Sequence, residues 1–352
     1  MSEEPSEIAA AETEAGADAT DLAAIVAKPS AEVAIASLRD EGVYDDSRRV
    51  REYGAETVAL PVTEGPKSTD VLDVVRQTDP EPRAPDLETL LRERGWTDSE
   101  AADAPASWAV VGTVVLVSFD DWTDEQERDI GEALLELHGE ADTVCAHEGV
   151  SGELRQPETR VVAGLGDTET VHTEHGTRYS LDLSKVMFSP GNQAERARMG
   201  EVVEEDERVL DMFAGIGYFT LPMARAGAQV TAVEKNPESF RYLGENASTN
   251  GVLENVELVF GDCREVEATA DRVVMGYYDA NEFLDSALDA LEPGGVVHFH
   301  ATTPEDLLWD RPVSRLREAA EEAGRSVEVL DRRRVKSHSE GVWHVVVDAR
   351  VE

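Results

Sequence analysis

The alternation of apolar and polar positions divides the chain into stretches of different texture. Residues 1–20 are rich in Ala, Glu and Thr and hold few large apolar groups. They cannot bury enough surface to offset the entropy of ordering, which predicts a disordered acidic tail. Over 21–64 a strand-like Ala-Ile-Val-Ala from Ala24, an Ala-rich helical run through Leu38 and a strand at 58–62 predict a small α+β domain. Gly65, Pro66, Pro80, Pro82 and Pro85 mark 65–86 as a linker. A second α+β domain is predicted over 87–188, from a helix at 87–94, one buried-strand run at 108–119, a helix near 124–138 and an alternating strand at 179–183. The rest, 189–352, is the most regular. Strand-like runs at 209–213, 230–234, 256–260, 272–277 and 296–300 alternate with helical segments. That order implies right-handed βαβ crossovers and a parallel sheet, an α/β domain. After a last helix near 313–323, runs at 326–336 and 342–351 joined by a short polar stretch predict a terminal β-hairpin.

Charge changes the picture. The formal net charge is -42, and the lysines are only Lys28, Lys67, Lys185, Lys235 and Lys336. Taken alone, such acidity argues against a nucleic-acid partner, because phosphate neutralisation uses Lys and Arg. The acid is dispersed along the whole chain, however, which favours adaptation to molar salt over an acidic partner-binding protein. There the Debye length falls to roughly 3 Å and net repulsion is screened. Cys145 and Cys263 are too few and too far apart for a disulfide framework or a repeated metal motif, and fit a reducing cytoplasm. No apolar run approaches the roughly 20 residues needed to span a bilayer, and the N-terminus is acidic where a signal peptide is basic.

Candidate chemistry concentrates after the first strand of the regular region. It runs into Asp211-Met212-Phe213-Ala214-Gly215-Ile216-Gly217, where Gly215 and Gly217 let the backbone turn sharply and approach a ligand. A tight structural turn is the alternative. Thr220 stands where a dinucleotide fingerprint has its third glycine. Glu234 ends the next strand, about twenty residues on, where an acid accepts hydrogen bonds from ribose hydroxyls. After the third strand, Asp262 suits an adenine amino group, or caps the following helix, and Cys263 follows it. Ser189-Pro190 reads as an N-cap and first helical residue. Arg196, two turns along, is either a ligand contact or an exposed helix cation. Tyr277 and Tyr278 either stack on an extruded base or pack internally. The Arg332, Arg333, Arg334 and Lys336 cluster either meets phosphate or lies on a solvated hairpin face. His298 and His300, two apart on one strand face, read as hydrogen-bonded core histidines, with no metal site expected.

These motifs carry a family resemblance. Met187-Phe188-Ser189-Pro190, Asp211-Met212-Phe213-Ala214-Gly215, Glu234-Lys235-Asn236-Pro237 and Gly261-Asp262-Cys263-Arg264 resemble the archaeal enzymes that modify guanosine 37 of tRNA. The resemblance implies a class I S-adenosylmethionine-dependent methyltransferase (Rossmann-like) fold over 189–352, with 87–188 facing RNA. The family holds two chemistries: N1-methylation of guanine, and transfer of the aminocarboxypropyl group of S-adenosylmethionine to carbon 7 of 4-demethylwyosine in tRNA(Phe). The methylating branch typically has Asn-Leu-Pro after the Met of the fourth strand. This chain has Met275-Gly276-Tyr277-Tyr278, similar to the aminocarboxypropyl branch, as is Gly341-Val342-Trp343-His344. The resemblance implies cofactor contacts at Ser189, Arg196, Phe213, Gly215, Gly217, Glu234, Asp262 and Cys263, and an anticodon-region partner. Gly276 and Tyr277 are expected at the reacting centre, Gly276 by removing a side chain that would hold the methionine arm in a methyl-donating pose. Asp211 is a conceivable base, or a residue that orders its loop.

Overall fold

The computed structural model describes residues 21–77, 80–81 and 85–352, so the tail expected over 1–20 lies outside the described residues. Contacts divide the chain into two compact units, Met1–Asp86 and Leu87–Glu352.

In the first unit β1 (Leu22–Ala27), α1 (Ala31–Asp40), β2 (Arg51–Glu52), β3 (Thr57–Pro61) and β4 (Asp73–Arg76) build an antiparallel sheet in the order β2-β3-β1-β4. Ala24 and Val26 of β1 meet Ala34 and Leu38 of α1, while Ala23 and Ile25 face the other way. The linker expected over 65–86 is corrected here. Leu22 to Ile25 pair with Arg76 to Asp73, and Val75 packs on the sheet. The prolines mark only the flanks of that strand.

The second unit opens with α2 (Leu87–Glu93), α3 (Asp98–Ala102), β5 (Trp108–Val111), β6 (Val114–Val117), α4 (Asp124–Leu137), β7 (Thr143–Ser151) and β8 (Gln156–Gly164). The sheet order is β5-β6-β7-β8, with α4 as the crossover between parallel β6 and β7. Thr123 starts α4 with a capping box closed by Gln126. The single strand expected over 108–119 is a hairpin instead. Gly112 takes φ +57 and a Cβ there would run into Thr170, so the chain reverses where apolar pattern alone gives no break.

Then follow the hairpin β9 (Glu169–Glu174) and β10 (Thr177–Asp182), α5 (Gln193–Val202), β11 (Arg208–Asp211), α6 (Thr220–Arg225), β12 (Gln229–Glu234), α7 (Pro237–Thr249), β13 (Val256–Phe260), β14 (Ala270–Met275), α8 (Leu284–Ala290), β15 (Leu291–Pro304), α9 (Asp310–Glu322), β16 (Val327–Ser339) and β17 (Val342–Val351). The seven-stranded order is β13-β12-β11-β14-β15-β17-β16. Parallel pairing runs from β13 to β15, and β17 enters antiparallel between β15 and β16. Strands covered on both faces read as near-continuous apolar runs, which is why Val209, Leu210, Val273 and Val274 are all buried. One core joins the predicted domains. Val111, Val114, Cys145, Tyr179 and Leu181 pack with Val209, Ile216, Leu221 and Leu243, so Ser189 marks no gap in packing.

Candidate active site

Strand order reverses beside β11, and the carboxyl ends of β11, β12, β13 and β14 open onto one cavity, where open α/β sheets place their ligands. The loop after β11 forms its floor. Gly215 takes φ +59, its N–H donates to Glu234 Oε2 at 2.7 Å, and a Cβ there would meet the Tyr218 ring. Gly217, at φ +102, is not among the residues lining the cavity. A Cβ there would sit 2.7 Å from Leu221 Cγ, so its role is to seat α6. Asp211 is likewise drawn away from the reacting centre. It is fully buried, accepts from Thr220 Oγ1 at 2.7 Å and from the Phe213 N–H at 3.4 Å, and does not line the cavity. Burial pushes its carboxyl up to about 6, against the Thr220 bond. Its oxygens are taken up by the loop and not turned to the cavity, which favours the loop-ordering role over that of a base.

Glu234 reaches the cavity from the end of β12. Its second oxygen accepts the Asn236 N–H at 2.6 Å, and burial pushes its carboxyl above the usual range against these backbone bonds. Asp262 both lines the cavity and caps. It accepts from the Arg264 N–H at 3.0 Å and Arg264 NH2 at 2.6 Å, and the Arg264 guanidinium holds it far below the usual carboxylate range. Cys263 lines the same edge. Burial pushes its thiol up to about 11, so it is no nucleophile at neutral pH.

The opposite wall follows β14. Gly276 lies against Phe219, and a Cβ at 276 would come 2.7 Å from Phe219 Cε2. The buried ring gives position 276 a packing reason to be small, beside the expectation that glycine removes a side chain that would hold the methionine arm in a methyl-donating pose. Tyr277 stacks on Phe213 with centroids 5.1 Å apart, and Phe283 meets Phe213 edge-on at 5.0 Å. Tyr278 packs edge-on against His338 and His344, both at 4.9 Å, so its ring is committed to packing. His344 lines the cavity from β17, and its Nε2 is 3.0 Å from His300 Nδ1. His298 accepts from Arg272 at Nε2 (2.6 Å) and donates Nδ1–H to Asp348 (2.7 Å).

Before α5, Ser189 lines the cavity and its Oγ bonds Lys336 Nζ rather than capping a backbone N–H. Arg196 is not an exposed helix cation. It is 2% exposed, held by Glu174 through two bonds of 2.6 and 2.7 Å, and it donates to the Ser189 carbonyl at 3.0 Å. The basic cluster on β16 also divides. Arg333 turns inward to Glu195 and Asp348 at 2.7 Å, so it does not meet phosphate, while Arg334 lies over Trp343. Sequence reasoning missed the tip of the β7–β8 hairpin. Glu153 pairs with Lys235, Asn236 Nδ2 donates to the Leu154 carbonyl at 3.0 Å, and Arg155 lies 5.8 and 5.0 Å above the Tyr277 and Tyr278 rings. Gly149 and Gly152 in a strand-rich stretch were the available signal of a hairpin; nothing local said that it reaches this cavity.

The cavity thus offers a glycine turn, an acid at the second strand and aromatic walls, a fit for a nucleoside. Residues 170–330 match the TRM5/TYW2 methyltransferase domain, and residues 78–168 match the TYW2 N-terminal domain. A tRNA(Phe) (4-demethylwyosine(37)-C(7)) aminocarboxypropyltransferase from Pyrococcus horikoshii is 39% identical over 251 residues, covering 70% of this chain and 90% of that one. The crystal structure of P. horikoshii TYW2 in complex with MeSAdo has a TM-score of 0.66 at 35% identity, over 74% of this chain and 96% of that one. Trm5b from Pyrococcus abyssi has a TM-score of 0.72 at 32% identity, over 94% and 99%. On these matches and this site, the chain belongs to the TRM5/TYW2 family of S-adenosylmethionine-dependent enzymes and, within it, to the aminocarboxypropyltransferase branch.

Proposed function

We propose that this protein transfers the 3-amino-3-carboxypropyl group of S-adenosylmethionine to carbon 7 of 4-demethylwyosine at position 37 in the anticodon region of tRNA(Phe). The observation that carries this choice over guanine N1-methylation is the Gly276-Tyr277-Tyr278 wall, which lines the cavity where the methylating branch has Asn-Leu-Pro. When bound, the sulfonium supplies three activated carbons, and the one held in line within roughly 3 to 3.5 Å of the nucleophile reacts. Carbon 7 bonds the γ-carbon, the sulfur–γ-carbon bond breaks with its electron pair left on sulfur, and the carbon 7 proton leaves to a base. Methylthioadenosine is the coproduct.

The residues divide this work. Glu234 accepts from the ribose, with the Gly215 N–H fixing its carboxylate. Phe213 and the Asp262-Cys263 edge flank the adenine. Ser189 is placed for the methionine end, and Arg196, its charge already met by Glu174, positions Ser189 through the carbonyl bond. Tyr277, stacked on Phe213, presents a ring to the extruded base. Among the described residues no helix is long and apolar enough to cross a membrane, and both cysteines are buried and unpaired, in keeping with a cytoplasmic enzyme. Chromatography of the nucleoside coproduct tests the proposal. Methylthioadenosine released in a tRNA-dependent manner supports it, and S-adenosylhomocysteine in its place supports the methylating alternative.

A further inference from the structure

The cavity wall that precedes α5 is held from a strand outside the parallel sheet. On β9, Thr170, His172 and Glu174 alternate on one face, and that face is turned inward. The β5–β6 turn closes on the first two: the Thr113 N–H donates to Thr170 Oγ1 at 2.9 Å, and the Gly112 N–H donates to His172 Nδ1 at 3.2 Å. With Nδ1 accepting, His172 carries its proton on Nε2 and donates it to Glu174 Oε1 at 3.1 Å.

Glu174 passes the constraint on. Its Oε1 accepts from Arg196 Nη2 at 2.7 Å and its Oε2 from Arg196 Nε at 2.6 Å, a bidentate fork with fixed geometry. Against its burial, the bonds from His172 and Arg196 hold the Glu174 carboxyl below the usual range, so it stays charged opposite the guanidinium. The third nitrogen of that guanidinium, Nη1, donates to the Ser189 carbonyl at 3.0 Å. The Phe188 ring is gripped by the same residues. Arg196 lies 4.8 Å from its centroid, and His172 meets it edge-to-face with centroids 5.2 Å apart. Met187 and Ser189, on either side of Phe188 in the chain, line the cavity.

We propose that His172 and Glu174 are positioning residues for the transfer: by fixing the Arg196 fork they set the Met187–Ser189 wall against which the donor is held. Neither is among the residues lining the cavity, so both act through Arg196. A buried ion pair gains little net stability once its desolvation is met; what this one supplies is a fixed geometry. The inference rests on the reading of the cavity as the donor site. It deepens that reading, because the placement of the donor then depends on a hairpin and on a turn upstream of the parallel sheet.

Donor affinity, read by calorimetry, separates this role from ordinary packing. His172→Phe keeps a ring against Phe188 and loses both hydrogen bonds. It should weaken S-adenosylmethionine binding about 3- to 10-fold, the worth of one hydrogen bond, and His172→Gln, which can both accept and donate, should recover part of the loss. Arg196→Lys keeps the charge but cannot hold Glu174 and the Ser189 carbonyl together as a fork does. In that background His172→Phe should cost no further affinity, because the chain of contacts is already cut, whereas a packing role would cost the same factor in both backgrounds. If Arg196→Lys binds the donor too weakly to titrate, Glu174→Gln cuts the chain one step earlier and carries the same expectation. Circular dichroism melts report that each variant is folded. Should His172→Phe fail to fold, His172→Asn, which keeps an acceptor for Gly112 and loses the bond to Glu174, takes its place in the cycle. Unchanged affinity in the folded single variant, an equal factor in both backgrounds, or a His172→Gln protein no better than His172→Phe would overturn the proposal. A parent that binds no S-adenosylmethionine would instead overturn the donor reading, and this inference with it. If the parent binds it but methylates guanosine, the affinity cycle still decides the positioning role.

Discussion

Gly276→Ala adds one carbon where Phe219 Cε2 is 2.7 Å and Cδ2 3.1 Å away. Relaxed carbon–carbon contacts lie near 3.5 to 4.0 Å, so the ring must retreat by roughly 1 Å. Phe219 is 4% exposed and packs on His300 with centroids 5.2 Å apart, so retreat disturbs the core. Overpacking of this kind costs about 1–3 kcal/mol. At about 2–4 °C per kcal/mol for a domain of this size, thermal unfolding should fall by about 2–12 °C. Phe219→Leu removes the ring edge, so the alanine should cost less in that background, by about 0.5 kcal/mol or more. Calorimetric scans of the four proteins complete the cycle. A Gly276→Ala protein as stable as the parent, or an equal cost in both backgrounds, would refute the steric reasoning. Measuring the product with Gly276→Asn separates seating Phe219 from steering the donor: unchanged yield and identity would leave Gly276 a packing role alone.

Three further outcomes follow from the same structure. Glu234→Ala should weaken S-adenosylmethionine by on the order of 1.5 to 3 kcal/mol for each ribose bond lost, before rescue by water. Unaltered affinity by calorimetry would remove Glu234 from the site. Burial pushes His300 down to about 3 and His344 to about 2 from an ordinary 6.5. The unfolded chain then takes the proton first, so their contribution to stability is complete above about 6.5 and is lost as pH falls toward 3, at about 1.4 kcal/mol per pH unit for each imidazole. His300→Gln should flatten the stability–pH slope in that window by about one proton, and identical slopes would contradict the burial argument. The net charge of -42 predicts activity rising toward molar KCl, as self-repulsion and phosphate repulsion are screened. With folding followed by circular dichroism in the same titration, tighter tRNA binding by folded protein at about 0.1 M than at about 2 M salt would show counterion release from a basic patch instead.

The parallel sheet was legible because its strands are buried on both faces and separated by helical runs, so period and run length agree. Where a single glycine reverses the chain, as at Gly112, or two valines join a sheet amid prolines, as at Val74 and Val75, local pattern misled. In the site, Gly215, Glu234 and Asp262 were readable because each sits a fixed step beyond a strand end. Arg155, Asn192 and His344 were not, since they come from a hairpin tip, a turn and a terminal strand brought together only by the tertiary fold. Asp211 stayed open between two roles for a related reason: a strand-end acid looks the same in sequence whether its oxygens face a cavity or, as here, a threonine hydroxyl.

Which carbon is transferred, and to which base, defines this enzyme. Incubating the protein with S-adenosylmethionine and tRNA(Phe) carrying either guanosine or 4-demethylwyosine at position 37, then weighing the digested nucleosides by mass spectrometry, addresses both together. 4-Demethylwyosine should gain one aminocarboxypropyl group and guanosine should be unchanged. A methyl gain on guanosine 37, with 4-demethylwyosine left intact, would contradict it.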